Sequence, residues 1–468
     1  MLHQFHDILP GSSIHRVYAE AETALATAIT ETKELTRQAA TSLIKDHGQD
    51  SASPGSLTVF NSLSWARTTI IALPNEHIEV TIPPCGWTTI KQDSPALSMP
   101  AIDGLAFGIG TAVPVRAEPG LLENEYLRAR FDHRGELVSL VEKSSNWEVM
   151  DGIGNLFCLY KDVPSAWDAW DIDSIAELQP IDTSEPVHLE VLDPGPLMAQ
   201  LRLTRSLSNS RITQVITLQR GSRRLEFFTS IDWQEQHKLL KVAFPINIHA
   251  NEAIHEIQFG HLRRPTHRSR QYDADRFEVS NHKWTALADD QHGAAVLNDS
   301  KYGLSVDRST IKLTLLKSAI APDPHADRGR QSFTYAIYPW VGALAQSRVV
   351  QEAYELNVPP LILNGTAKEG SIFQISASNI ILDTMKPAED RSPDLILRLY
   401  ESVHAATHCI LTTSLPVQSA TQTNMLEEDI KPLHIHQNKV ELTFRPFEIK
   451  TIRLKLVDND LTLSGNTA

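Results

Sequence analysis

The sequence predicts a mainly β chain: one N-terminal helix followed by antiparallel β-sandwich domains. Three observations carry this. Apolar residues recur with helical spacing in one long stretch near the start. Beyond it the apolar period falls to two, in many short runs. Gly, Pro, Asn and Asp clusters separate those runs at fairly even intervals, the pattern of a large sandwich.

The helical stretch is carried by Ile14, Val17, Tyr18, Ala21, Leu25, Ala28, Ile29, Leu35, Ala39 and Leu43. Pro10-Gly11 precede it, Ser12 or Ser13 is positioned to cap it, and Gly48 is placed to stop it. Its apolar face is wide, and no second helical pattern is available to bury it. Residues 48–56, GQDSASPGS, read as a linker. Short strands follow at Leu57 to Asn61, Thr69 to Leu73 and Ile78 to Ile82, and residues 91–119 form a second connection rich in Pro, Ser, Gly and Ala. Leu127 to Phe131, the turn Asp132-His-Arg-Gly135 and Leu137 to Val141 read as a hairpin. Strand patterns continue over 187–192, 198–206, 211–219, 223–232, 239–248, 254–259, 293–298, 310–317 and 332–339. A last unit begins near 345, with its clearest strands at Leu395 to Tyr400, Cys409 to Thr413, Val440 to Phe444 and Thr451 to Leu456.

Composition narrows the function. Of 468 residues, 41% are hydrophobic and 21% charged, the balance of a folded globular chain. The net charge of −14 argues against nucleic-acid or anionic-membrane partners, which call for basic patches. No apolar run approaches the ~18 residues of a membrane span. The opening MLHQFHDILPG does not resemble a signal peptide, and Cys85, Cys158 and Cys409 lie too far apart for a disulfide framework. A cytoplasmic protein acting on a neutral, polar ligand is the expectation.

Four polar segments could carry chemistry. In Gln4 to Gly11 a His stands beside an Asp: the His6 imidazole suits Zn²⁺, and the Asp7 carboxylate suits a metal or sugar hydroxyls. The plainer reading is a turn supported by Asp7 with His6 at the surface. Trp167 to Asp173 sets two indoles among three carboxylates. Indole faces stack on sugar CH groups, and carboxylates such as Asp168 and Asp171 accept hydroxyl hydrogen bonds. The alternative is a loop whose Trp side chains pack on a sandwich rim. The loop 322–330 holds Asp, His and Arg residues and reads as a salt-bridged connection. His434 and His436 fall on one strand face, half of a metal site with no third ligand evident nearby.

The segments together resemble glycoside hydrolase family 38, the zinc-dependent α-mannosidases, in its cytosolic, vacuolar and bacterial branch. His3 to Val17, HQFHDILPGSSIHRV, is similar to a motif from the middle of that family. Val59 to Trp65, Leu122 to Arg128, Trp167 to Asp173, Glu256 to Gly260, Arg264 to His267, Leu297 to Gly303, Phe333 to Pro339 and Arg445 to Lys450 resemble its C-terminal sandwiches, in the family's order. The resemblance implies four units: 1–50, one helix of the three-helix middle domain; 55–110, a small β domain; 111–345, a large sandwich like galactose mutarotase; and 346–468, a C-terminal β domain.

It also implies a function. The family hydrolyses terminal α-D-mannosides of oligosaccharides with retention, one carboxylate attacking and another donating a proton. Those two carboxylates belong to an N-terminal α/β barrel that nothing in residues 1–468 matches, so the chain alone is expected to be incomplete and inactive. By resemblance His6 is the zinc ligand contributed from outside the barrel. Asp7 is the neighbouring carboxylate that holds sugar hydroxyls, and Asp168, Trp170 and Asp171 approach the same cleft. The partners implied are mannose-containing oligosaccharides and the N-terminal catalytic half. The alternative is a stand-alone carbohydrate-binding β-sandwich module without catalysis.

Overall fold

The computed structural model describes residues 2–44, 55–73, 76–91, 114–182 and 186–457. Strands dominate, and the sheets are antiparallel throughout. The predicted long helix is present as His15–Leu43. Neither Ser12 nor Ser13 caps it: Ile14 is the residue before it and offers no side-chain bond. The expected stop at Gly48 lies outside the described residues. Ala21 and Ala40 are the buried residues of this helix, while Leu25, Ile29, Leu35 and Leu43 remain exposed. One apolar flank lines a groove with Leu361 and Leu363.

A nine-residue helix, Val349–Asn357, corrects the expectation that no second helix exists. Val349, Val350 and Ala353 bury against Trp284 and Tyr338, so its apolar residues read in sequence like another short buried run.

The large sandwich pairs two sheets. One has nine strands, running from Val187–Asp193 at one edge through Leu225–Trp233 and Gly329–Val341 to Gly260–Pro265 at the other. The second has six, with Leu156–Lys161, Lys238–Pro245 and Thr310–Lys317 at its centre. Alternation sets the facing residues: Met198–Leu207 buries every second side chain, as a strand with one core face must. Between the sheets Phe227 stacks on Tyr335 at 5.3 Å, and Phe244 meets Tyr335 edge-on at 6.0 Å. The Tyr335 hydroxyl donates to Asn155 at 2.5 Å and accepts from Gln214, so this buried polar group is satisfied. Against it sits a five-stranded sheet, Arg116–Glu118 to Trp147–Glu148, whose predicted hairpin turns where Asp132 accepts the N–H groups of Arg134 and Glu136.

The C-terminal residues form a second sandwich of four and five strands around Phe373, Leu397, Leu411 and Ile452. A separate four-stranded sheet joins distant parts of the chain. Its inner strands are Ser56–Asn61 and Gly86–Lys91; its outer strands are Leu361–Asn364 and Gly370–Ser371.

Candidate functional site at the end of the large sandwich

Three connections meet at one end of the six-stranded sheet. The loop 163–178 follows Leu156–Lys161, the turn at His237 precedes Lys238–Pro245, and the loop 318–328 follows Thr310–Lys317. The N-terminal segment 2–14 lies against them, with the imidazole of His6 6.3 Å from the indole of Trp170, ring edge to face. Two of the sequence-predicted segments are therefore brought together.

Residues 2–11 form successive tight turns closed by Ile8 N–H to Phe5 O at 2.9 Å and Gly11 N–H to Ile8 O at 3.2 Å. Gly11 takes φ 79°, a left-handed conformation glycine adopts without cost. Tyr18, one turn into the helix, staples the segment: its hydroxyl accepts the Ser13 N–H at 2.5 Å and donates to the Asp7 carbonyl at 3.3 Å. Burial raises the tyrosine above its usual range, and the neighbouring carboxylates of Asp323, Asp327 and Asp7 add to this. His6 Nε2 stands 3.5 Å from Asp7 Oδ1, both side chains substantially exposed.

Asp168 ties the loop 163–178 to the 318–328 loop. Asp168 Oδ2 accepts the N–H groups of Ile320 at 2.7 Å and Ala321 at 3.1 Å, and lies 3.2 Å from His237 Nε2. Burial disfavours the charged form of Asp168, but the Ile320 N–H, His237 and the Ala321 N–H outweigh it and hold the carboxyl below the usual range. Its Oδ1 is buried without a hydrogen bond. Asp168 is thus turned toward the 318–328 loop. Asp171 is exposed, its N–H donating to the Trp167 carbonyl at 2.9 Å. Trp167 adopts φ 53° and is 76% exposed; Trp170 is 56% exposed. Leu2, Phe5, Leu9 and Ile175 are exposed too, and the Phe5 ring lies 4.3 Å from that of His6.

Sequence reasoning did not place His15, His237, Asp323 or His325 here. The 322–330 loop was legible as polar, but no local signal ties it to the start of the helix. His434 and His436 are exposed near the strand Ile435–His436, away from these contacts.

Comparison with known proteins bears on the family and the fold. Residues 122–325 match the glycosyl hydrolases family 38 C-terminal domain, residues 379–452 the family 38 C-terminal beta sandwich domain, and residues 1–43 the alpha mannosidase middle domain. The chain belongs to glycoside hydrolase family 38. It is 36% identical to alpha-mannosidase 2C1 of Mus musculus over 97% of its own length and 45% of that relative. Alpha-mannosidase G of Dictyostelium discoideum is 31% identical, with 47% of it covered. The chain therefore spans about half the length of the curated relatives it matches and corresponds to their middle and C-terminal domains. An alpha-mannosidase structure from Enterococcus faecalis V583 shares the fold at a TM-score of 0.77 and 16% identity, covering 97% of this chain and 62% of that one. No helix of the described residues is long and apolar enough to cross a membrane.

Proposed function

We propose that this chain supplies the middle-helix and β-sandwich portion of a cytoplasmic, retaining α-mannosidase acting on terminal α-D-mannosides of oligosaccharides, and that it does not turn over substrate alone. The observation that carries this is the meeting of His6-Asp7 with the Trp167–Asp173 loop at one surface. One donor, the exposed imidazole of His6, fits a corner of a Zn²⁺ site but falls short of the usual three or more protein ligands. It would share the ion with groups from a domain outside the described residues. Bound there, zinc would supply positive charge for sugar hydroxyls.

This chain's own residues have narrower tasks. Asp7 accepts hydrogen bonds from sugar hydroxyls. Trp170 offers an apolar face beside His6 on which a pyranose can stack. Asp168 positions the loop through the Ile320 and Ala321 amides. Asp171, exposed on the same loop, can accept a hydroxyl. The exposed apolar face of His15–Leu43 and the exposed Leu2, Phe5 and Leu9 of the N-terminal segment are where the rest of such an enzyme would pack.

The test is hydrolysis of an aryl α-mannoside with Zn²⁺, by the 468-residue chain alone and together with the polypeptide encoded immediately upstream. No turnover is expected alone; turnover that His6→Ala abolishes is expected from the pair. Turnover by the purified chain alone that survives His6→Ala would overturn the assignment. Mannose binding by the chain alone, lost in Trp170→Ala, would instead favour a carbohydrate-binding module.

A further inference from the structure

A second group of metal-ligating side chains lies at the same end of the sandwich and uses neither His6 nor Asp7. His15, Asp323 and His325 each turn a donor atom toward the others, and these atoms all lie within 4.8 Å of one another. His15 Nδ1 is 3.3 Å from Asp323 Oδ2. His325 Nδ1 is 4.0 Å from Asp323 Oδ1. The two imidazole rings are 5.4 Å apart, centre to centre.

The charges are unbalanced. Asp323 is 4% exposed, and the ion-pair partners it has among the described residues are the two histidines. Unprotonated imidazoles carry no charge, and a buried carboxylate needs a cation. The carboxylate is held ready: Asp323 Oδ1 accepts the N–H of His325 at 2.8 Å, which fixes its orientation. Both imidazoles are exposed, so small rotamer changes can close the donor set around an ion.

We propose that His15, Asp323 and His325 form a binding site for a divalent transition-metal ion, with water completing a four-coordinate shell. Two imidazoles and one carboxylate select Zn²⁺, Co²⁺, Ni²⁺ or Cu²⁺ over Mg²⁺ and Ca²⁺, which prefer all-oxygen shells. His15 opens the long helix and Asp323 lies in the loop that anchors Asp168, so the ion clamps the N-terminal segment onto the sandwich.

The test is calorimetric titration of the 468-residue His6→Ala chain with Zn²⁺, followed by Co²⁺ titration read by visible absorption. One ion per chain is expected, uncompeted by Mg²⁺ or Ca²⁺. Adding His325→Ala or His15→Ala should weaken binding at least ~10-fold. It should also leave the far-UV circular dichroism of the metal-free chain unchanged, because both side chains are exposed. His325→Gln serves as a second variant. No Zn²⁺ binding by the His6→Ala chain overturns the inference, as does binding that His15→Ala and His325→Ala leave unchanged. Zn²⁺ binding that depends on His6 alone overturns it while leaving the proposed α-mannosidase role intact.

Discussion

Replacing Asp168 by alanine should release the 163–178 loop from the 318–328 loop. One carboxylate oxygen receives the amides of Ile320 and Ala321 at 2.7 and 3.1 Å, with His237 Nε2 at 3.2 Å. A hydrogen bond to a charged group contributes about 1.5–3 kcal/mol when shielded from water. Ile320 and Ala321 are exposed, so water recovers much of both amides, and a net local loss of about 2 kcal/mol is expected. At 1.4 kcal/mol per decade, that is about 30-fold faster hydrogen exchange across 318–328. Exchange mass spectrometry is the right assay, because it reads the local opening of the loop itself. Asp168→Asn should retain part of the protection, since an amide oxygen still accepts. The pH dependence has a definite sign. A carboxyl held below its unfolded value contributes stability above pH ~4, lost as pH falls through the folded value. Unchanged exchange across 318–328 in Asp168→Ala, at neutral pH, would refute the anchoring role.

Other expectations follow from the same contacts. Glu142, fully buried, accepts from Ser144, Ser145 and Arg223; burial opposes its charge, but these donors hold it at about 2. Glu142→Gln should cost about 3 kcal/mol in a neutral-pH denaturant titration. In the parent chain this contribution should persist above pH ~4.3 and fade toward pH 2. Gly293→Ala would place a Cβ 2.0 Å from the Trp340 ring across the strand pair. Overpacking of about 3 kcal/mol, visible as a lowered melting midpoint, is expected. Trp170→Ala should change stability by less than ~0.5 kcal/mol, the side chain being exposed, while lowering aryl α-mannoside turnover by the chain paired with the upstream polypeptide.

Much of the fold was legible because alternation is local. The strands around 198–206, 211–219 and 310–317 alternate in sequence and bury one face in the sandwich. The Asp132 turn was legible for a similar reason, since an Asp side chain closes it within four residues. Val349–Asn357 was not: a short helix buried along one side carries too few periods to stand out. The small sheet was hidden in its pairing, because Leu57 faces Asn364, far along the chain. His6 and Asp7 drew notice as adjacent residues of useful chemistry. His15, Asp323 and His325 could not, since their proximity is a product of the tertiary fold.

The four-stranded sheet has a consequence in time. Thr58 donates to the carbonyl of Gly365, 307 positions later. At a ribosomal rate of about 5–20 residues per second, the first strand emerges roughly 15–60 s before its outer neighbour exists. For that interval Ser56–Asn61 exposes an unpaired edge to any passing strand. The late arrival of Leu361–Asn364 makes this sheet a checkpoint for synthesis, closing only after the large sandwich between has been made.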